Sequence, residues 1–129
     1  MGHTFRASIL LVEDNEDIRE GLSTLLEAEQ YDVSAFSSAE EALIRLEKQR
    51  FDLIITDYML PGESGGWMVE QAAARGCLSG ARVLMITAHP RVVPPPGVRI
   101  LHKPLDIHVF LRVVGEELAA GHGQAARVG

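Results

Sequence analysis

Three acidic residues, a threonine and a lysine each come at or just after the end of a short, mostly apolar run. Glu13 and Asp14 directly follow one run, and Asp57 comes shortly after another. Thr87 and Lys103 come after two further runs. If these runs are parallel strands of one sheet, their carboxyl ends share an edge, and ligands bind along that edge where the strand order reverses. The five side chains are therefore expected to lie close together.

This combination of residue types is suited to phosphoryl transfer assisted by a divalent cation. Two carboxylates about 4 Å apart repel each other by about 4 kcal/mol at an effective dielectric of about 20, so three grouped carboxylates need a cation or a raised pKa. An all-oxygen site with few protein ligands suits Mg²⁺ or Mn²⁺, and the sequence offers no cysteine–histidine cluster for zinc. One carboxylate can then attack phosphorus while the cation, the lysine and the hydroxyl stabilise the transferred oxygens.

Each of these residues also has a structural interpretation when it is taken alone. Asp14 and Asn15 can cap the helix that follows them, and Asp57 can belong to an ordinary turn. Thr87 is a β-branched residue typical of strands, and Lys103 can be a surface lysine. Their joint position favours the functional interpretation, because independent coincidences at one edge of the sheet would otherwise be required.

Hydrophobic periodicity predicts the elements that must position these side chains. Short apolar or alternating runs predict five strands, at residues 9–12, 33–36, 53–55, 83–86 and 98–101. Helical spacing predicts a first helix whose apolar face carries Ile18, Leu22, Leu25 and Leu26. A last helix has an apolar face formed by Ile107, Phe110, Leu111, Val114 and Leu118.

Capping signals mark the ends of the other helices. Ser38 and Glu41 form a capping-box pattern at the start of a second helix, and Asp106 is a candidate N-cap of the last one. A third helix is predicted over Trp67–Arg75, with Gly76 at the position after its end.

Alternating strands and helices predict an α/β fold, a doubly wound, five-stranded parallel sheet with helices on both faces. Strands buried on both faces are uniformly apolar, so the first, third and fourth strands are predicted to be central and the other two to be edges. This pattern favours the flavodoxin-like order 2-1-3-4-5 over the order 3-2-1-4-5, which would bury the second strand. Between the fourth and fifth strands, residues 88–97 include four prolines. A Pro-rich loop is predicted there in place of the fourth crossover helix.

The 129 residues, 47% of them hydrophobic, predict one domain, at 1–120, followed by a flexible tail at 121–129. The net charge of −6 argues against direct nucleic-acid binding. Cys77 is the single cysteine, which fits a reducing, cytoplasmic location. No apolar run reaches the length of about 20 residues that a membrane span needs.

Four motifs over residues 8–120 resemble the receiver domain of two-component response regulators. They are Leu11-Val12-Glu13-Asp14-Asn15, Asp57-Tyr58-Met59-Leu60-Pro61-Gly62-Glu63-Ser64-Gly65, Thr87-Ala88 and Lys103-Pro104. The resemblance implies a phosphoacceptor signalling domain of a phosphorelay, which catalyses its own aspartyl phosphorylation and dephosphorylation and has no separate substrate. Its implied partners are a histidine kinase or a histidine phosphotransfer protein, and a downstream protein that the sequence does not name.

The resemblance also implies a role for each site residue. Asp57 would accept the phosphoryl group, with Thr87 and Lys103 contacting the phosphoryl oxygens. Asp14 would bind Mg²⁺ directly, Glu13 through water, and the Met59 backbone carbonyl would be a further ligand. The peptide bond between Lys103 and Pro104 would be cis. Met59 and His89 stand at the positions that tune hydrolysis in the family.

The sequence departs from the family pattern in its switch region. Ile100 stands where receivers usually have an aromatic switch residue, and the Pro-rich loop stands where they have a helix. An atypical switch is therefore expected, and the alternative is a receiver-fold interaction module whose output does not depend on phosphorylation. A flavin-binding or phosphatase function is disfavoured, because Glu13 and Asp14 would repel phosphate without a metal and Asp14 lacks a second aspartate two residues later. His89 and His102 flank the site in sequence but are expected to be exposed.

Overall fold

The computed structural model describes residues 4–128, with side chains up to residue 121. Its five strands are β1 (Ser8–Val12), β2 (Asp32–Phe36), β3 (Leu53–Asp57), β4 (Arg82–Thr87) and β5 (Val98–His102). All are parallel and lie in the order β2-β1-β3-β4-β5. The predicted doubly wound order is confirmed, with the three most apolar strands in the centre and β2 and β5 at the edges.

The four helices are α1 (Glu16–Ala28), α2 (Ala39–Leu46), α3 (Gly65–Ala74) and α4 (Ile107–Val128). The predicted caps of α2 and α4 are confirmed, since Ser38 accepts a hydrogen bond from the Glu41 N–H and Asp106 from the Val109 N–H. Gly76 follows α3 with a φ of 72°, a conformation that glycine adopts without steric cost.

Helix α3 begins two residues earlier than its apolar pattern predicts. The hydroxyl of Ser64 accepts a hydrogen bond from the Trp67 N–H, and this N-cap includes Gly65 and Gly66 in the first turn. Glycine is unfavourable in helix interiors, so the sequence predicts a helix that begins after these two residues. Here the cap and the packing of Gly65 against β3 outweigh that preference.

Two hydrophobic clusters cover the two faces of the sheet. Helices α1 and α4 pack on one face through residues such as Leu26 and Phe110, and α2 and α3 pack on the other through residues such as Leu43 and Met68. Successive residues of the central strands contribute to opposite clusters, as the alternation of side chains along a strand requires. Both faces are therefore buried, which holds the carboxyl ends of β1, β3 and β4 in fixed positions.

Two residues predicted on apolar helix faces are largely outside the core. Ile18 in α1 is 41% exposed and Ile107 at the start of α4 is 49% exposed. Both lie in the first turn of their helix, which follows the carboxyl end of a strand. Helical periodicity identifies the direction of a face but not how far along the helix the core continues.

Residues 88–97 form no helix or strand. We call this segment the strap. Val92 packs against the cluster formed with α2 and α3, and the next residue, Val93, is 86% exposed. At the other end of the fold, α4 continues to Val128, through the region that the sequence predicts to be a flexible tail. Gly129 lies outside the described residues, and the flexibility of the tail stays a prediction.

Across the part of the chain that the structure describes, no helix combines the length and the apolar composition needed to cross a membrane.

Candidate functional site

The strand ends bring Glu13, Asp14 and Asp57 together at the carboxyl edge of the sheet. Glu13 and Asp14 follow β1, and Asp57 is the last residue of its neighbour β3. Each offers a carboxylate oxygen, and these oxygens lie within 4.8 Å of one another. Glu13 and Asp57 are buried, whereas Asp14 is exposed. The group thus has two enclosed carboxylates and one that faces solvent.

Lys103 places its ammonium group between the two buried carboxylates. Its Nζ lies 3.0 Å from Oδ2 of Asp57 and 3.5 Å from Oε1 of Glu13. Burial alone would lower the pKa of Lys103, but hydrogen bonding and charge attraction from the two carboxylates raise it overall. The peptide bond between Lys103 and Pro104 is cis, as the sequence resemblance implies.

Asp57 is a buried acid whose carboxylate is only partly stabilised by its neighbours. Its Oδ2 accepts from Lys103, but its buried Oδ1 has no hydrogen-bond partner among the described residues. Burial, together with Glu13, raises the pKa of Asp57 to about 7, against the opposing effect of Lys103. A buried carboxylate oxygen without a partner is costly, and such atoms occur at sites that bind an ion or carry out chemistry.

These three acids fit a hard divalent cation. They supply only oxygen ligands, one of them is open to solvent, and Asp57 carries a buried oxygen, Oδ1, without a partner among the described residues. Mg²⁺ prefers this arrangement, because it binds to one or two carboxylates and retains several waters. His89 and His102 are both exposed, as the sequence predicts.

Thr87 lies at the end of β4, next to Asp57 across the sheet. Asp57 pairs in register with Ile86, the residue before Thr87. Thr87 is buried, and its Oγ1 accepts a hydrogen bond of 3.0 Å from the backbone N–H of His89. Because the oxygen is the acceptor in this bond, the hydroxyl hydrogen stays available to a further acceptor at the site.

Met59 and Ile100 are the other two residues singled out from the sequence. Met59 is in the loop after β3, and its side chain is 68% exposed. Ile100 lies in β5 and packs, partly buried, against the same cluster as Val92.

Three residues that sequence reasoning did not assign to the site contact its backbone. Arg19 donates a hydrogen bond of 2.8 Å to the carbonyl of Glu13, and the buried Thr56 hydroxyl donates to the carbonyl of Asp57. A Cβ on Gly65 would collide with that same carbonyl, so only glycine allows α3 to approach β3 this closely. The Gly65-Gly66 pair in the sequence is compatible with a close backbone contact at this position. No spacing pattern in the sequence indicates the contact of Arg19.

An open groove of about 820 Å³ adjoins the site between α1 and the segment after β5. Its apolar lining includes Ile18, Leu25 and Leu105, with Lys103 at its border with the carboxylates. Ile18 is exposed because it lines this groove, and no described part of the chain covers the groove.

Comparisons with known proteins identify the family. The sequence matches the response regulator receiver domain over residues 9–95. The sensory transduction protein RegX3 of Mycolicibacterium smegmatis is 36% identical over 81 residues, which cover 63% of this chain and 34% of RegX3. The DNA-binding response regulator MtrA of the same organism is 32% identical over 85 residues, which cover 66% of this chain and 36% of MtrA. The chain thus spans about a third of the length of these curated relatives.

Solved structures agree with this match. The receiver domain of the hybrid histidine kinase CckA is 35% identical and superposes with a TM-score of 0.76, covering 86% of this chain and 98% of that domain. The sequence match extends over well more than half of the chain. The protein therefore belongs to the response regulator receiver domain family, the receiver domains of two-component systems.

Proposed function

We propose that this chain is the phosphoacceptor of a two-component phosphorelay and that Asp57 carries the phosphoryl group. The observation that supports this most strongly is the environment of Asp57, with one oxygen 3.0 Å from Lys103 and the other buried without a described partner. Receiver domains are signalling domains rather than enzymes with a separate substrate. Phosphorylation would therefore act by changing which proteins the chain binds.

The proposed reaction is an attack of Asp57 on a phosphohistidine. An ionised oxygen of Asp57 forms a bond to phosphorus, the phosphorus–nitrogen bond of the donor breaks, and the departing imidazole keeps the bonding electron pair and takes up a proton. Lys103 would balance the charge of the phosphoryl oxygens, and the Thr87 hydroxyl would donate a hydrogen bond to one of them. The same groups would support hydrolysis of the aspartyl phosphate.

Four residues are proposed to hold Mg²⁺ or Mn²⁺. Asp14 and Asp57 would bind the ion directly, Glu13 through water, and Met59 through its backbone carbonyl. When bound, the ion neutralises charge on the transferred group and favours the ionised form of Asp57. The solvent-exposed position of Asp14 supports this assignment, because it leaves room for the waters that Mg²⁺ retains.

The family implies a histidine kinase as partner, and we propose that it or a histidine phosphotransfer protein is the donor. The groove beside Lys103 supports docking of a protein surface, since its lining combines the exposed apolar Ile18 and Ile107 with the acidic Asp17 and Glu20. The net charge of −6 argues against direct nucleic-acid binding. A cytoplasmic location is proposed from this partner class and from the single cysteine.

The output is proposed to differ from that of a typical receiver. The strap takes the place of a helix, and Ile100 takes the place of the aromatic switch residue that the family resemblance leads one to expect. Residues 1–120 are proposed to form the signalling domain, with 121–129 as its tail. The downstream protein would then recognise a surface that includes the strap.

The proposal is tested with a small phosphodonor. Purified protein is incubated with Mg²⁺ and acetyl phosphate, and its intact mass is measured. We expect an increase of about 80 Da, one phosphoryl group, that requires the divalent ion and is absent in Asp57→Asn.

Asp32→Asn is the matched control, because it removes an exposed acid at the opposite end of the sheet. It should be phosphorylated like the unchanged protein. If no adduct forms with acetyl phosphate, other small donors or a histidine kinase, phosphorylation is excluded and the alternative of a phosphorylation-independent interaction module is favoured.

A further inference from the structure

Arg19 makes its contacts with the backbone of the turn that carries the first two acids. Its Nη1 donates a hydrogen bond of 2.8 Å to the carbonyl of Glu13 and a longer one of 3.4 Å to the carbonyl of Asp14. Among the described residues it forms no ion pair with a carboxylate. Its hydrogen-bonding capacity is thus directed at the main chain and not at the acidic side chains.

The other described hydrogen bonds of this turn leave one peptide group unsupported. The N–H of Glu13 donates to the carbonyl of Phe36, and the N–H of Asn15 donates to Oε2 of Glu13. These bonds fix the peptide groups before Glu13 and after Asp14. The peptide group between Glu13 and Asp14 has no described hydrogen bond except the one from Arg19.

This peptide group sets the direction of the Cα–Cβ bond of Asp14. Asp14 is the exposed acid of the cluster, so its main chain, and not surrounding packing, sets the position from which its carboxylate reaches the ion. Groups that orient metal ligands affect metal affinity although they do not touch the ion. We infer that Arg19 is a positioning residue for the divalent-cation site, acting through the Glu13 carbonyl; this inference rests on the proposed function.

If Arg19 acted only through its charge, its removal would change the affinity for the cation in the opposite direction from a loss of positioning. Arg19 carries a permanent positive charge close to the cluster, and removing a positive charge strengthens the binding of a cation. Loss of positioning weakens it. The sign of the change in affinity therefore separates the two roles.

The test measures Mn²⁺ binding directly, by electron paramagnetic resonance of the free ion, in the unchanged protein, Arg19→Ala and Arg19→Lys. We expect Arg19→Ala to raise the dissociation constant about tenfold. Arg19→Lys keeps the charge and one donor, so it should recover part of the loss. Arg112→Ala, which removes an equal charge from the exposed surface of α4, should bind like the unchanged protein.

Circular dichroism and the urea midpoint without metal show whether the variants remain folded. If Arg19→Ala does not fold, the Mn²⁺ affinity of Arg19→Lys tests the positioning role. This variant should bind Mn²⁺ more weakly than the unchanged protein, because a lysine cannot reproduce the geometry of the guanidinium. Unchanged or tighter Mn²⁺ binding in the folded Arg19 variants would overturn the positioning role of Arg19 but leave the proposed cation site intact. Absence of binding in the unchanged protein would overturn the proposed cation site and this inference with it.

Discussion

At the scale of single residues, Asp57 is held in an environment that opposes its own ionisation. It lies buried beside Glu13, and only one of its oxygens has a described hydrogen-bond partner, the ammonium group of Lys103. The resulting pKa of about 7 means that the folded protein without metal binds a proton at Asp57 more tightly than the unfolded chain does. The site is therefore expected to destabilise the fold until a cation or a proton compensates it.

Asp57→Asn should be more stable than the unchanged protein when metal is removed by a chelator. The pKa of Asp57 is raised from 3.8 in the unfolded reference to about 7, so the unchanged protein loses stability as the pH rises between these values. Above about pH 7 the advantage of the variant should level off at about 2 kcal/mol, below the limit of about 4 kcal/mol for the full shift, since the site opens to solvent. Urea denaturation at about pH 5 and about pH 8 measures it.

The difference in the free energy of unfolding between Asp57→Asn and the unchanged protein should shrink as the pH falls through 7 towards 4. Adding Mg²⁺ should also reduce this difference. An advantage that stays constant over this range would show that its origin is not the ionisation of Asp57. Asp32→Asn, which changes an exposed acid, serves as the control and should show no such pH dependence.

Most of the residues at the site could be predicted from the sequence, because their positions follow from the ends of strands. Glu13, Asp14, Asp57 and Thr87 are each identified by the apolar run that precedes them. Arg19 could not be predicted, since its hydrogen bond is made to a main-chain carbonyl and leaves no trace in residue spacing. The missing hydrogen-bond partner of one Asp57 oxygen likewise depends on side-chain positions that only the three-dimensional structure supplies.

At the scale of elements, the strap is attached to the fold at its beginning and through Val92. Its four prolines exclude a regular helix, and the hydrogen bond between His89 and Thr87 connects its beginning to the site. Val92 then anchors it to the cluster that also contains Ile100. The strap thus begins at a hydrogen bond to Thr87 and packs through Val92, and its packing can be tested one residue at a time.

Replacing the two adjacent valines of the strap should have different effects. Val92→Ala removes partly buried methyl groups and should lower the free energy of unfolding by about 1 kcal/mol. Val93→Ala changes a side chain that is 86% exposed, and the change should stay within about 0.5 kcal/mol. Urea denaturation of the two variants side by side measures the difference. Equal effects would mean that the strap does not pack on the sheet as described.

Element boundaries show where sequence patterns stop being informative. Strand positions agree with the apolar runs to within two residues, but α3 begins at Gly65 because of a cap and a close contact with β3. Ile107 follows the helical pattern of α4 and yet lies outside the core. Periodicity records which residues share a face, whereas caps and neighbouring layers decide where that face is covered.

At the scale of the whole molecule, the site and the fold depend on the same sheet. The order 2-1-3-4-5 follows from the apolar central strands and places the ends of β1 and β3 side by side. Two buried carboxylates at that position cost stability, and the packed layers on both faces supply enough hydrophobic burial to tolerate it. A cation bound there should consequently stabilise the entire cooperative unit and not a local loop.

Mg²⁺ should therefore raise the midpoint of a single thermal transition. At a concentration about ten times its dissociation constant, binding to the folded state alone adds about 1.4 kcal/mol, which corresponds to about 3–6 °C for a domain of this size. Asp14→Asn, which removes the exposed acid, should show a much smaller shift at the same Mg²⁺ concentration. Calorimetry with and without the ion measures both. An equal shift in Asp14→Asn would place the ion at another site, and a transition that splits in two would show that it stabilises only part of the fold.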